Sequence, residues 1–246
     1  MANNTTSLAV LDTPYAALKV ADNLSAILDE NLGGATIDVG QLPKVKIPAG
    51  GALFWTVEDI MNPDSPAMRE LSGIVVAWHE QRAFWPGEMA GGSEPPDCSS
   101  PDAVMGHART NEVGVPVLWG DNAVPGIQSC ISCPFAQFGS GKNGSGQACK
   151  KSRVLYLLQR GEILPTIVSL SPTSIKPVSD FFLRLTSRMI PLSHVEIGLT
   201  LERVQSAGGI NYSKVVPKLV RQLTGEEGAA MDRYAAQLRP LLATKE

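Results

Sequence analysis

The stretch Cys130-Ile131-Ser132-Cys133-Pro134 lies at the centre of a cysteine-rich segment, residues 95–153, around which the rest of this chain must fold. The segment holds all four cysteines of the protein, with Cys98 before the pair and Cys149 after it. A gap of two residues lets the paired sulfurs turn onto one ion, and four thiolates complete a tetrahedral site. The segment is dense in glycine and lacks a long apolar run. A bound metal would therefore supply folding free energy that these loops lack, on the order of 10 kcal/mol.

We therefore predict a structural zinc ion held by Cys98, Cys130, Cys133 and Cys149. An iron–sulfur cluster is the alternative occupant, because ligation by cysteine alone suits both groups. A disulfide pair or inert thiols are the other interpretations, and His107 could replace one cysteine. The first residues have no basic cluster followed by an apolar core, so a secretory signal is not expected. Without export, four thiols favour metal ligation over disulfides.

Length and composition are typical of a globular protein of one domain with an insertion. The chain has 246 residues, 43% of them hydrophobic and 18% charged, and contains no apolar run of the roughly 18 residues that a membrane span needs. We expect a protein without membrane association, located in the cytoplasm, and in the host cytoplasm if a phage encodes it.

Charge is distributed unevenly along the chain. Residues 1–138 hold 6 Lys/Arg and 16 Asp/Glu, whereas residues 139–221 hold 12 and 4, which gives balances of −10 and +8. A basic block inside an acidic protein is typical of a face that binds a polyanion. The alternative is that the two halves neutralise each other within the fold.

The periodicity of apolar residues predicts a mainly β protein with flanking helices. Residues 1–40 form an N-terminal arm with a helix that ends at Gly33-Gly34, and residues 223–246 form a C-terminal helix. Residues 41–222 form a domain with the metal-binding insertion at 86–150. In this domain, short extended runs at 41–48 and 53–57 and a loop at 59–65 precede a long strand at 71–85, which Gly73 or a bulge helps to bend. A hairpin at 153–170, a helix from Pro172 and two further strands at 195–201 and 212–220 follow.

That order of elements predicts a five-stranded barrel of the OB type, in which a helix separates the third and fourth strands. Such barrels bind single-stranded nucleic acid by combining a basic groove with aromatic side chains that stack on bases. The candidate binding residues are Trp78, Arg82, Phe84, Trp85, Lys142, Lys150, Lys151, Arg153, Tyr156, Arg160, Tyr212, Lys214 and Lys218, with Arg203 and Arg221 near the last two strands. Each aromatic taken singly is more often a core residue, because its large apolar area favours burial.

Several motifs carry a resemblance to a family of phage- and prophage-borne proteins of unassigned function, over about residues 34–220. They are Pro95-Pro96-Asp97-Cys98-Ser99-Ser100, Cys130-x-x-Cys133-Pro134-Phe135-Ala136-Gln137-Phe138-Gly139, Gln147-Ala148-Cys149-Lys150 and Leu170-Ser171-Pro172-Thr173-Ser174-Ile175-Lys176. In architecture, the strand order with a cysteine-rich insertion also resembles the zinc-bearing helix-destabilising protein of T-even phages. This second resemblance implies binding of single-stranded DNA and a zinc subdomain.

Together these features predict a non-enzymatic single-stranded DNA-binding protein of phage replication or recombination, without strong sequence preference. One alternative is a nuclease stabilised by zinc or an iron–sulfur cluster, although the sequence shows no clustered carboxylates for catalytic magnesium. Another is a protein-interaction or regulatory module, such as a recombination accessory factor that binds replication or recombination proteins. The glycine-rich stretch 139–146 lacks the Gly-Lys-Ser/Thr ending of a phosphate loop, which argues against nucleotide hydrolysis.

Overall fold

The computed structural model describes residues 12–19, 23–33, 39–56, 67–85, 95–110, 126–206 and 208–242. The strands in these ranges are β1 (Lys44–Lys46), β2 (Glu70–Phe84), β3 (Cys98–Ser100), β4 (Met105–Ala108), β5 (Ile127–Ser129), β6 (Lys150–Leu158), β7 (Thr166–Leu170), β8 (Val195–Gln205) and β9 (Asn211–Gln222). The helices are α1 (Ala16–Lys19), α2 (Leu24–Leu32), α3 (Pro172–Thr186) and α4 (Gly225–Leu242). The predicted loop at 59–65 lies outside the described residues.

The predicted class, mainly β with flanking helices, is confirmed, but the closed five-stranded barrel is wrong. The strands form an open sheet in the order β1-β7-β6-β2-β3-β4-β5, and β8 pairs with both β2 and β9. Closing a barrel would require the free edge of β7. Strand β1 occupies that edge, and Ile167 N–H donates to the Pro43 carbonyl oxygen at 2.7 Å.

Most of the predicted elements in the second half of the chain are confirmed. The hairpin β6–β7, helix α3, the pair β8–β9 and helix α4 occur where the apolar periodicity indicated. The predicted extended run at 53–57 forms no strand in its described part, residues 53–56. Instead Trp55 makes a single bridge to Met68, and its buried indole donates to the Leu199 carbonyl oxygen at 2.8 Å.

The chain divides into two compact units. The first, which we call the main unit, comprises residues 1–77, 155–168 and 177–246, and the second, the cysteine-rich unit, comprises residues 78–154 and 169–176. The core of the main unit is formed by fully buried side chains that include Trp55, Leu71, Ile74, Leu155, Leu157, Ile197, Leu199 and Tyr234. No helix in the described ranges is both long and apolar enough to cross a membrane.

Gly73 lets β2 approach β6 closely within the main unit. A Cβ atom at this position would lie 2.4 Å from the backbone oxygen of Leu158. Any larger residue would therefore have to push the two strands apart. The sequence predicts that Gly73 or a bulge helps the strand to bend, and the structure shows in addition this steric role for Gly73.

A capping box begins helix α4. The Thr224 hydroxyl accepts from Glu227 N–H at 3.2 Å, and the Glu227 carboxylate accepts from Thr224 N–H at 3.0 Å. The same carboxylate, only 3% exposed as a residue, also accepts two hydrogen bonds from Arg221, each 2.7 Å long, and one from the Thr13 hydroxyl. The Arg221 hydrogen bonds outweigh the effect of burial and lower the pKa of Glu227 to about 2.

Replacing Glu227 with Gln should destabilise the main unit by roughly 1.5–3 kcal/mol, because Arg221 loses a charged hydrogen-bond acceptor but keeps Glu196 as a partner. The folded-state pKa lies below the unfolded value, so this stabilisation is present above about pH 4.5 and is lost as the pH falls towards 2. Urea titrations of Glu227→Gln and wild type across this pH range measure both effects. The exposed neighbour Glu226 provides the control, and equal losses for Glu226→Gln and Glu227→Gln would contradict the prediction.

Candidate metal centre and nucleic-acid interface

Short segments of irregular backbone place the four cysteines. Cys98 begins β3, Cys130 follows β5, Cys133 precedes a 3-10 turn at Pro134–Ala136, and Cys149 precedes β6. All four are buried and free of disulfides. Residues separated by up to 51 positions in sequence are thus brought into one small unit.

The four cysteines line the same cavity, together with Arg82, Gly106 and Ala136. A Cβ atom built on Gly106 would lie 3.0 Å from the sulfur of Cys98 and 3.6 Å from that of Cys130. The separation of these two sulfurs cannot exceed the sum of those distances. Gly106 therefore leaves space that a larger residue would take from the sulfur cavity.

The four cysteines line one cavity, but their sulfurs do not form a tetrahedral metal site as they stand. Within the part of the chain that is described, no group of three or more His, Cys, Asp or Glu side chains stands in a position to hold a metal ion. Sulfurs around tetrahedral zinc lie about 3.8 Å apart. A change of χ1 rotamer moves a cysteine sulfur by about 3 Å, so side-chain rotation changes how far apart the sulfurs lie. The donor set of four buried thiols with access to one cavity fits a metal ion of the kind that the sequence predicts.

Backbone hydrogen bonds and an aromatic pair support this cavity. Cys130 N–H donates to the Val104 carbonyl oxygen, and Cys149 N–H donates to the Phe135 carbonyl oxygen, both at 2.8 Å. The Phe135 ring stacks on Phe84 with ring centroids 4.5 Å apart. Phe84 belongs to the small apolar cluster that includes Cys98, Cys133 and Cys149. Apolar side chains thus pack against three of the four cysteines.

The surroundings of Cys98 and Cys149 disfavour their thiolate forms and raise the pKa of both thiols. Burial and, secondarily, the proximity of the other three cysteines raise the pKa of Cys98 to about 12. Burial also raises the pKa of Cys149, although Arg82 opposes this shift. A divalent cation reverses this balance, because coordination deprotonates thiols. His107, the alternative ligand, is exposed on β4, whereas all four cysteines are buried.

Ion pairs occupy five of the eight basic residues predicted to bind nucleic acid. In the cysteine-rich unit, Lys151 and Arg153 both pair with Glu80, and Arg153 does so at 2.7 Å. In the main unit, the pairs are Arg160 with Glu196, Lys214 with Glu202 and Lys218 with Glu70. Arg221 pairs with Glu196 and Glu227, and Arg203 donates to the Gly51 carbonyl oxygen. Of these pairs, those of Lys151, Arg153 and Lys218 join the basic block to acids of residues 1–138, so the alternative of neutralisation between the two halves accounts for part of the block.

The other three predicted cations lie in the cysteine-rich unit. Arg82 is half-buried, and its guanidinium donates to the Cys149 carbonyl oxygen at 3.4 Å. It therefore supports the sulfur cavity, which the sequence did not indicate. Lys142 and Lys150 are exposed. These two lysines are the predicted cations best placed to reach a phosphate.

The predicted stacking residues differ in their exposure. Phe84 and Tyr156 are buried, so neither ring offers a face to a base. Trp78 is 45% exposed, and the Arg153 guanidinium lies 4.5 Å from its ring centroid. Trp85 and Tyr212 are half-buried. Trp78 is thus the most accessible of the predicted aromatic platforms.

Two neutral side chains of the cysteine-rich unit are more exposed than any predicted platform. Phe138 and Ile131 have relative exposures of 86% and 87%. The only sequence signal for them is their position beside the paired cysteines, in a stretch with no strand or helix periodicity to bury them. No family model, curated protein or solved structure matches the chain.

Replacing Cys133 with Ser should abolish stoichiometric metal binding and destabilise the cysteine-rich unit, because three thiolates hold zinc less tightly than four. Mass spectrometry of the metal content and thermal unfolding together measure the effect. The control variant is Ser132→Ala, since Ser132 adjoins the same cysteine, is exposed and does not line the sulfur cavity.

Wild-type protein should contain one zinc per chain and no visible chromophore. Iron and sulfide with a brown absorbance would instead assign a cluster to the same cysteines. Wild-type protein that folds stably with neither metal would contradict the prediction.

Proposed function

We propose that this protein is a non-enzymatic single-stranded DNA-binding protein whose cysteine-rich unit is held together by a structural zinc ion. One observation carries the proposal: residues 126–154 contain four Lys/Arg and no Asp/Glu, within a unit that also exposes aromatic side chains. Single-stranded nucleic acid is bound by this pairing of positive charge with flat rings. The resemblance to phage-borne proteins supports a role in phage replication or recombination.

The ion pairs limit how many phosphates the protein can neutralise. Lys151 and Arg153 pair with Glu80. Lys142 and Lys150 are exposed, and the Lys150 ammonium donates to the Gln147 carbonyl oxygen at 2.6 Å. Exchanging an internal ion pair for a phosphate contact releases a carboxylate that then needs a new partner. We therefore propose modest affinity with a large contribution from stacking, rather than a deep electrostatic groove.

Zinc has a structural role in this proposal. The four thiolates would occupy all its coordination positions, which leaves none open for a substrate or a reactive water. The ion would order the acid-free stretch and so fix its lysines in one arrangement. We do not favour a nuclease, because the sequence shows no clustered carboxylate motif for catalytic magnesium.

The salt dependence of DNA binding tests this proposal. The slope of log K against log salt should be about −2, since about two or three phosphates are neutralised, and not the roughly −6 expected if all eight predicted cations took part. Fluorescence anisotropy of labelled oligo(dT), titrated at several salt concentrations, measures the slope. Duplex DNA of the same length is the control and should bind more weakly. No anisotropy change with oligo(dT) at low salt would overturn the proposal.

A protein-interaction module is the second candidate, because several apolar side chains of the cysteine-rich unit are exposed. In addition to Ile131 and Phe138, these are Val104, Met105 and Ile127. Exposed apolar groups gathered on one unit often mark protein contacts. A replication or recombination protein that binds the purified chain after nuclease treatment, and is lost on Ile131→Asp substitution, would favour this function.

A further inference from the structure

Building on the proposed function, we infer that residues 137–150, which we call the 137–150 loop, bind the nucleic-acid strand, with a base stacked on Phe138 and phosphates beside Lys142 and Lys150. The sequence predicts different stacking residues, namely Trp78, Phe84, Trp85, Tyr156 and Tyr212. Three observations carry the inference: the exposure of the ring, the fixed conformation of the loop and its charge.

The exposure of Phe138 contrasts with that of its neighbour Phe135. Phe135 is half-buried and stacks on Phe84, whereas Phe138, three residues later, is 86% exposed. Burying a phenylalanine normally contributes to stability, and this ring gains almost none of that contribution. An exposed ring whose folded position offers no packing is suited to a ligand with a flat apolar face, as every nucleobase has.

Hydrogen bonds hold the backbone on both sides of the ring. The Gln137 amide donates to the carbonyl oxygens of Ile131 at 2.8 Å and Cys133 at 3.2 Å. Gly139 N–H donates to the Gly146 carbonyl oxygen at 2.7 Å, and the Ser140 hydroxyl donates to the carbonyl oxygens of Phe135 and Gln137. The ring is thus presented by an ordered loop, so binding loses less conformational entropy than it would on a mobile one.

The loop also links the ring to the cysteine cavity. Cys133 precedes the turn that leads to Phe138, and Cys149 N–H bonds to the Phe135 carbonyl oxygen. The Gln147 side chain donates to the Ala136 carbonyl oxygen at 2.6 Å, which draws the end of the loop back to its start. A metal on the four cysteines would therefore fix both ends of the 137–150 loop.

The charge of the loop selects an anionic partner. It carries the exposed Lys142 and Lys150 and no acidic residue. A Cβ atom at Gly144 or Gly146 would meet nothing within 4 Å, so the surface beside the lysines is open. Both glycines have positive φ, 73° and 66°, a backbone conformation that favours glycine over bulkier residues. A flat ring with two cations on an open loop fits a polynucleotide strand better than an apolar protein surface.

The test compares Phe138→Ala, Phe138→Leu and Phe138→Trp with the control Ile131→Ala in anisotropy titrations with labelled oligo(dT). Ala and Leu should each weaken binding roughly 5- to 150-fold, since both remove the flat face, and Trp should retain or strengthen it. Ile131→Ala should bind as wild type, because Ile131 is equally exposed but has no ring. Lys142→Ala with Lys150→Ala should make the salt slope shallower by about 1.4.

Metal content and thermal unfolding of each variant confirm that the unit is intact. If wild type binds oligo(dT) and folded Phe138→Ala binds equally well, the 137–150 loop is not the site, although the proposed function stands. If Phe138→Ala weakens the binding of oligo(dT) but Phe138→Leu does not, the affinity depends on apolar area and not on stacking. That result would overturn the assignment of a base to Phe138. If wild type itself does not bind, the proposed function and this inference fall together.

Discussion

The length of β2 and the pairing of its backbone constrain the rest of this structure. The strand pairs with β8 through Glu70–Ile74 and with β3 through Arg82–Phe84, while β6 is its neighbour on the other side. A shorter strand could not form hydrogen bonds with both β8 and β3. Buried backbone N–H and C=O groups without hydrogen-bond partners would then destabilise the fold. Residues 70–77 therefore belong to the main unit, and residues 78–84 belong to the cysteine-rich unit.

Pairing of charges determines which basic residues are left for a ligand. Glu80 neutralises Lys151 and Arg153, and Glu196, only 1% exposed, is bound by Arg160 and Arg221. A buried carboxylate is tolerated only with such partners, so these arginines are required by the fold. In the stretch 126–154, which has no acid of its own, Glu80 pairs with Lys151 and Arg153, whereas Lys142 and Lys150 are exposed.

Described residues of the cysteine-rich unit share a small apolar cluster. It consists of Phe84, Ala136 and three cysteines, with Phe135 packed against it. A metal on the sulfurs would cross-link the segments that meet in this cluster, which is why it would matter for stability. Phe138 and Ile131 lie outside this cluster and are exposed. In the proposed function, these surface side chains become the part of the protein that meets its ligand.

Sequence alone determined the elements whose apolar periodicity is strong, among them β6, β7, α3, β8, β9 and α4. It also indicated that Cys98, Cys130, Cys133 and Cys149 would come together, because the chemistry of four thiols in a glycine-rich segment leaves few other uses. Tertiary structure decided that the sheet stays open, since β1 takes the edge of β7 that closure would need. It also decided which charges and rings are accessible. Whether Lys151 meets Glu80 or a phosphate, and whether Phe84 or Phe138 faces solvent, depends on partners distant in sequence, which no local pattern encodes.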